Sequence, residues 1–189
     1  MRKYIITLII CIFTYIVISN RNIDNPHNIV EHALIKEVEN YISKVSPKSN
    51  LTPKTVVDKC MEHDIDIIFV LAQGQIESNF GTAGIASSTN SVWNVNSYDG
   101  RSAQYIIRNG LGYKHPDHSI EPYIYLIKSR YLTSGRTEHD LMNKFTSSSG
   151  HRYASSPTYE YQLKSLYNRI YNTTNISHLQ NHLKNTKNK

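Results

Sequence analysis

IIFVLAQGQIE, residues 67–77, is the stretch that decides the fold. It is apolar on nearly every face as far as Ala72 and then continues into polar residues without a break. A helix that is apolar all round belongs in the centre of a domain. A short buried strand is the alternative, because β-branched and aromatic residues are frequent here. The continuation to Glu77 favours a buried central helix, with Asp64 or Asp66 as its N-cap.

Five further helices are predicted around this one from apolar residues at helical spacing. Residues 78–100 lack that spacing and predict a long loop, or a small lobe with a short hairpin. The fold class is therefore all-α, with about six helices and room for a very small β-hairpin lobe. The five helices cover residues 28–45, a segment opened by Thr52-Pro53, residues 119–132, residues 137–145 with a capping box at Thr137, and a last core helix opened by Ser156-Pro157, with Tyr161, Leu163, Leu166, Tyr167 and Ile170 facing inward.

The N-terminus carries a targeting signal. Arg2 and Lys3 precede an almost wholly apolar run from Tyr4 to Ser19, with no small-x-small cleavage site after it. We predict a transmembrane signal anchor over residues 1–20 with its short end inside, and a cleaved signal peptide is the alternative. The remainder is exported in both cases. It is expected in the cell envelope, anchored in the cytoplasmic membrane with its domain outside, or secreted if the N-terminus is cleaved.

The rest of the chain divides into three segments. Residues 21–27 are a linker, residues 28–172 a single domain, and residues 173–189 a basic polar tail with a short helix around 176–183 or none. Cys60 is predicted to be a small core residue, because no His and Asp partners can be placed beside it. Cys11 lies in the apolar N-terminal run, so no disulfide is expected.

The formal net charge of +6 favours anionic partners: a cell-wall polymer, a nucleic acid or a membrane surface. The sequence lacks zinc-ligand spacing, an RNA-binding signature and a phosphate-cradling glycine loop, which argues against nucleic acid. His115 and His118 have Pro116 between them and no third ligand, so we predict neither a metal site nor a cofactor. A monomer is expected.

Glu77 is the candidate catalytic residue. A carboxyl at the end of an apolar helix lies in low dielectric, which disfavours its charged form and suits an acid that donates to a glycosidic oxygen. Two-carboxylate glycosidases need a second acid. Asp99 is the best candidate, with an ordinary Asp-Gly turn as the alternative interpretation, and Asp117 and Glu121 are weaker ones.

Three motifs then resemble those of bacterial and phage glucosaminidases in the lysozyme-like superfamily. Residues 71–82, LAQGQIESNFGT, are similar to the family's active-site signature, and Gly81 and Gly84 would permit a sharp turn after Glu77. Residues 89–95, TNSVWNV, resemble an Asn-Asn-apolar-aromatic-Gly segment, with Asn94 where glycine is usual. Residues 153–159, YASSPTY, resemble a Tyr-Ala-small-Asp-Pro-x-Tyr motif, with Ser156 in place of Asp.

The resemblance implies a lysozyme-like glucosaminidase domain acting on peptidoglycan, most simply as an endo-β-N-acetylglucosaminidase. Alternatives are a lytic transglycosylase, a muramidase, or a non-catalytic wall-binding or structural envelope protein. Glu77 would be the general acid and Tyr153 a second catalytic residue, although Tyr153 could equally be an aromatic packing residue. Without a second acid, the substrate's own N-acetyl carbonyl could serve as the nucleophile. The candidate substrate-binding residues are Gln73, Ser78 (or a bond to the local backbone), Asn90, Trp93 (or a core plug under the loop), Tyr98 and Tyr113.

Overall fold

The computed structural model describes residues 25–95, 106–107 and 112–187. These residues are mostly helical, as the sequence predicts. They form α1 (Pro26–Val45), α2 (Pro53–Glu62), α3 (Ile67–Ser78), α4 (Ala86–Thr89), β1 (Ile106–Ile107), β2 (Gly112–Tyr113), a 3-10 turn (Pro116–Ser119), α5 (Ile120–Leu126) with a π-helical turn (Ile127–Tyr131), α6 (Glu138–Asn143), α7 (Tyr159–Thr173) and α8 (Ile176–Lys187).

The central helix α3 is confirmed. Its N-cap is Asp66, whose carboxylate accepts hydrogen bonds from the backbone N–H groups of Ile68 and Phe69. Residues 67–74 are all buried, and α2, α7 and α8 pack against the helix. A helix apolar on every face is stable here because it is surrounded on every side.

The last core helix differs from its prediction. It begins at Tyr159, two residues after Pro157, and Tyr159 is buried. The inward stripe is Tyr159, Leu163, Leu166 and Ile170, at spacings of four, three and four residues. Tyr161 is two positions from Tyr159, on the other side of the helix, and is 78% exposed. The prediction that Tyr161 faces inward is therefore wrong.

The C-terminal segment is an element of the core. Predicted as a polar tail with a short helix or none, it forms α8, which packs against α1. Ile176 and Leu183 are buried, as is Gln180 between them. The Gln180 amide accepts from the Ile67 N–H at 3.1 Å and donates to the Ile65 carbonyl at 2.9 Å. These bonds fix α8 to the start of α3.

The loop after α3 contains one short helix, α4, and is followed by the hairpin. Strands β1 and β2 are antiparallel, with Ile106 opposite Tyr113 and Ile107 opposite Gly112. The hairpin thus lies beyond residues 78–100, where a hairpin was one of the predicted alternatives. A Cβ at Gly112 would stand 2.6 Å from the Thr89 carbonyl oxygen, so only glycine lets β2 approach α4 this closely.

The predicted helix over residues 119–132 is in fact three consecutive pieces, from the 3-10 turn to the π-helical turn. Within the described ranges, no helix is both long and apolar enough to span a bilayer. The signal anchor predicted over residues 1–20 lies outside those ranges.

Candidate active site

Glu77 lies in the last turn of α3, where the buried helix reaches the surface, and its side chain is half-buried. The chain then turns away from the helix axis through left-handed residues. Asn79 and Phe80 have φ of 49° and 56°, and Gly81 has φ of 84°. The turn predicted at Gly81 is thus present, and it leaves the Glu77 carboxyl group at the end of the helix rather than under a following turn.

Both carboxyl oxygens of Glu77 accept a hydrogen bond. Oε1 accepts from the Tyr159 hydroxyl at 2.6 Å, and Oε2 accepts from the Asn94 side-chain amide at 3.0 Å. The same amide donates to the Glu77 backbone carbonyl at 2.8 Å. Donors on both oxygens fix the plane of the carboxyl group, which would otherwise rotate freely about its last torsion.

A buried chain of hydrogen bonds stands behind Tyr159. The Gln73 amide donates to the Tyr159 oxygen at 3.1 Å, and the Tyr123 hydroxyl donates to the other end of the Gln73 side chain. Because Gln73 donates to the Tyr159 oxygen, the single Tyr159 proton is directed at Glu77. Burial raises the pKa of Tyr159 well above its usual range, and the nearby Tyr153 and Glu77 add to this. Tyr159 is therefore a neutral donor at any physiological pH.

Tyr153 stands beside this chain. Its ring is 5.6 Å from that of Tyr159 and stacks on Phe145 with centroids 4.4 Å apart. Its hydroxyl forms a long hydrogen bond of 3.5 Å with the Trp93 carbonyl oxygen. Tyr153, Phe145 and Tyr159 form a cluster of aromatic rings, called the aromatic wall below. Within it, the half-buried Tyr153 lies next to Tyr159, which donates to the Glu77 carboxyl group.

The match to a known family agrees with this geometry. A family model described as Glucosaminidase, mannosyl-glycoprotein endo-beta-N-acetylglucosaminidase, matches residues 54–172, well over half of the 189-residue chain. The chain belongs to this family. Membership makes it, in general terms, a glycoside hydrolase of the peptidoglycan-degrading kind. A comparison with curated proteins found no match.

The glucosaminidase match covers α2 to α7 and leaves α1 and α8 outside it. All three motifs fall within the match. The structure brings them together, since Glu77 comes from the first motif, Asn94 from the second, and Tyr153 and Tyr159 from the third.

Three of the predicted substrate-binding side chains lie in the interior. Gln73 is fully buried and bonded to two tyrosines. Trp93 stacks on Tyr123 with centroids 5.0 Å apart, and its ring N–H donates to the Val70 carbonyl at 3.0 Å. Tyr113 is buried, with its hydroxyl donating to the Val95 carbonyl. A buried side chain offers no surface to a sugar ring, so these residues support the site from within, and the core-plug alternative describes Trp93.

Ser78 and Asn90 also bond within the protein. The buried Ser78 hydroxyl donates to the Val92 carbonyl at 2.6 Å and accepts from the Gly81 N–H at 2.7 Å. Asn90 is half-buried and donates to the Tyr113 carbonyl at 2.8 Å. Ser78 thus ties the end of α3 to the second motif, as the alternative role proposed for it requires, and Asn90 holds the hairpin in place.

The predicted second acid, Asp99, lies outside the described residues, as does Tyr98. The weaker candidates are engaged elsewhere. Asp117 accepts from the Thr52 backbone N–H at 2.7 Å, where it anchors the start of α2. Glu121 is paired with Lys59 at 3.4 Å. Both carboxylates thus bind α2 or its N-cap.

The sequence reasoning missed two residues that touch Glu77, Tyr159 and Asn94. Tyr159 is the last residue of the third motif, and its spacing of four residues from Leu163 was the signal that could have placed it on the inward face. In the sequence, Asn94 could be noticed only because it stands where the second motif usually has glycine. Its φ of 53° explains the departure, because glycine and asparagine are the residues that best tolerate the left-handed region.

Proposed function

We propose that this glucosaminidase-family protein hydrolyses the glycan strands of peptidoglycan as an endo-β-N-acetylglucosaminidase, with Glu77 as general acid. The observation that carries the proposal is the carboxyl group at the end of α3, held through both oxygens by Tyr159 and Asn94. A general acid must face the leaving oxygen in one orientation. A half-buried carboxyl fixed from two sides meets that requirement.

The substrate class follows from three further observations. The description of the matching family names an endo-β-N-acetylglucosaminidase. The net charge of +6 favours an anionic polymer such as the cell wall. The apolar N-terminal run predicts export, which would bring the domain to the peptidoglycan layer.

For the second catalytic group we propose Asp99, which follows the second motif in the sequence. In a retaining or inverting glycosidase, this carboxylate would act opposite Glu77 as nucleophile or base. The substrate's own acetamido carbonyl is the alternative nucleophile. Tyr153, in the aromatic wall, would then orient that acetamido group or a water molecule.

The localisation and partners are part of the same proposal. We propose that residues 1–20 anchor the protein in the cytoplasmic membrane and that the domain works outside as a monomer on nearby glycan strands, without nucleic acid or cofactor. An anchored hydrolase with so short a linker would cut only wall close to the membrane.

The test compares wild type with Glu77→Gln on purified cell wall, by zymography and by the rate of release of reducing ends. Glu77→Gln keeps the size of the side chain but cannot donate the proton, so we expect a loss of about 100-fold or more. Glu39→Gln is the matched control, because Glu39 is an exposed carboxylate on α1 that pairs with Lys36. Equal clearing by wild type and Glu77→Gln would contradict the proposal.

Mass spectrometry of the released fragments decides the bond. Reducing N-acetylglucosamine ends support the proposed specificity. Reducing N-acetylmuramic acid ends would indicate a muramidase, and anhydro ends a lytic transglycosylase. Binding to wall without any released fragment would indicate the non-catalytic alternative.

A further inference from the structure

Asn94 makes two contacts to a single residue. Its side-chain nitrogen donates to the Glu77 backbone carbonyl at 2.8 Å and to Glu77 Oε2 at 3.0 Å. A primary amide has two N–H bonds, so each acceptor can be given its own hydrogen. Asn94 is exposed and bonds to Oε2 of Glu77, whereas the buried Tyr159 bonds to Oε1.

The backbone around Asn94 is held firmly. Its own N–H bonds to the Ser91 carbonyl at 3.0 Å, which closes a turn. The preceding residue, Trp93, is buried and bonded to Val70 of α3. The amide therefore extends from an anchored turn, and it is presented to Glu77 without the entropy cost of ordering a mobile loop.

The left-handed φ of 53° restricts which residues fit. Glycine would satisfy the backbone equally well, but it would leave Oε2 of Glu77 without this donor. Asparagine adds the donor at little backbone cost. The side chain is thus an addition to the turn and is not required for the turn to form.

We propose that Asn94 is a positioning residue that holds the Glu77 carboxyl group for proton donation. This rests on the proposed function of Glu77. With Tyr159 on Oε1 alone, the carboxyl group could rotate about its last torsion, which is broad for glutamate. With Asn94 also on Oε2, one plane of the carboxyl group is kept.

The proposal predicts a specific kinetic pattern for Asn94→Gly. Because the side chain orients the acid, kcat should fall on the order of 10- to 100-fold while KM changes little. A fall in kcat at unchanged KM separates the loss of orientation from the loss of a substrate contact.

Two comparisons make the test specific, both with the full chain on purified wall. Ser134→Gly is the matched control, since Ser134 is another left-handed residue, at φ of 58°, in an exposed loop before α6, and it should behave as wild type. Asn94→Asp keeps the size and the tolerance for this φ but replaces the donor with a second carboxylate. An ionised Asp cannot donate to Oε2, so its kcat should fall at least as far as that of Asn94→Gly.

Several outcomes would overturn the proposal. These are an unchanged kcat in Asn94→Gly, a rise in KM alone, which would make Asn94 a substrate contact, or an unchanged kcat in Asn94→Asp. Thermal unfolding confirms that each variant is folded. Failure of the proposed function is distinguishable, because the wild type itself would then release no reducing ends.

Discussion

At the residue scale, Tyr159 is the most informative position after Glu77. Tyr159→Phe removes the donor to Oε1 and leaves the Gln73 amide facing an apolar ring edge. We expect kcat to fall about 10- to 100-fold, because the acid loses one of its two orienting bonds. Steady-state rates on purified wall measure this.

The control for this substitution lies on the same helix. Tyr161 is 78% exposed and two residues away, so Tyr161→Phe should keep both activity and thermal stability. A fall in Tyr159→Phe activity that is matched by Tyr161→Phe would show that the hydroxyl on Glu77 is not the cause.

The same residues show what the sequence could reveal. Glu77 could be predicted, because both its helix and its motif are local patterns. Tyr159 was missed because Tyr161 was placed on the inward face. Tyr161 is two residues before Leu163, on the opposite side of the helix, whereas Tyr159 is four residues before Leu163 and on the same side. Asn94 could not be assigned a role from the sequence. Its contact with Glu77 depends on its left-handed backbone and on the turn that brings the chain back to α3, and hydrophobic periodicity reports neither.

At the element scale, α8 depends on one buried polar side chain. Gln180→Leu keeps much of the volume but leaves the Ile67 N–H and the Ile65 carbonyl without their partners. Unsatisfied buried backbone groups cost about 1–3 kcal/mol each. We therefore expect the free energy of unfolding in urea to fall by roughly that amount or more.

Gln162→Leu provides the comparison for Gln180→Leu. Gln162 is exposed on α7, and its amide bonds only to the neighbouring Thr158. Its replacement should change the free energy of unfolding by about 0.5 kcal/mol at most. Equal effects of the two substitutions would mean that Gln180 does not fix α8 to α3.

Helices α3 and α8 show which buried helices can be predicted from the local sequence and which cannot. The burial of α3 can be predicted from its own residues, because a segment that is apolar on every face is stable only inside a protein. In α8 the buried positions are few, Ile176, Gln180 and Leu183, and lie among lysines and asparagines. Its stability comes from packing on α1, which is distant in sequence and leaves no local signal.

At the scale of the whole molecule, carboxylates connect segments that are far apart in the chain. Asp64 pairs with Lys184 of α8 at 2.6 Å. Glu160 of α7 accepts from Arg152 at 2.7 Å and from the Phe145 N–H at 3.3 Å, which holds the loop that carries Tyr153. These contacts position α8 and the aromatic wall relative to the core.

Both carboxyl groups have a pKa below the usual range. The hydrogen bond and charge of Lys184 lower the pKa of Asp64. Burial alone would raise the pKa of Glu160, but hydrogen bonds from its own backbone, from Arg152 and from Phe145 outweigh it and lower the pKa. A depressed folded-state pKa contributes stability that is present above the unfolded-state value and lost as pH falls through the folded-state value.

The expected result is a free energy of unfolding that declines as pH falls below about 4, the ordinary range of these carboxyl groups. The double variant Asp64→Asn, Glu160→Gln removes both titrations, and Asn suits the left-handed φ of 47° at residue 64. Urea unfolding at a series of pH values should give a lower free energy for the variant at neutral pH and a shallower acid decline than in wild type. Parallel curves would show that these two carboxylates do not link the fold to pH.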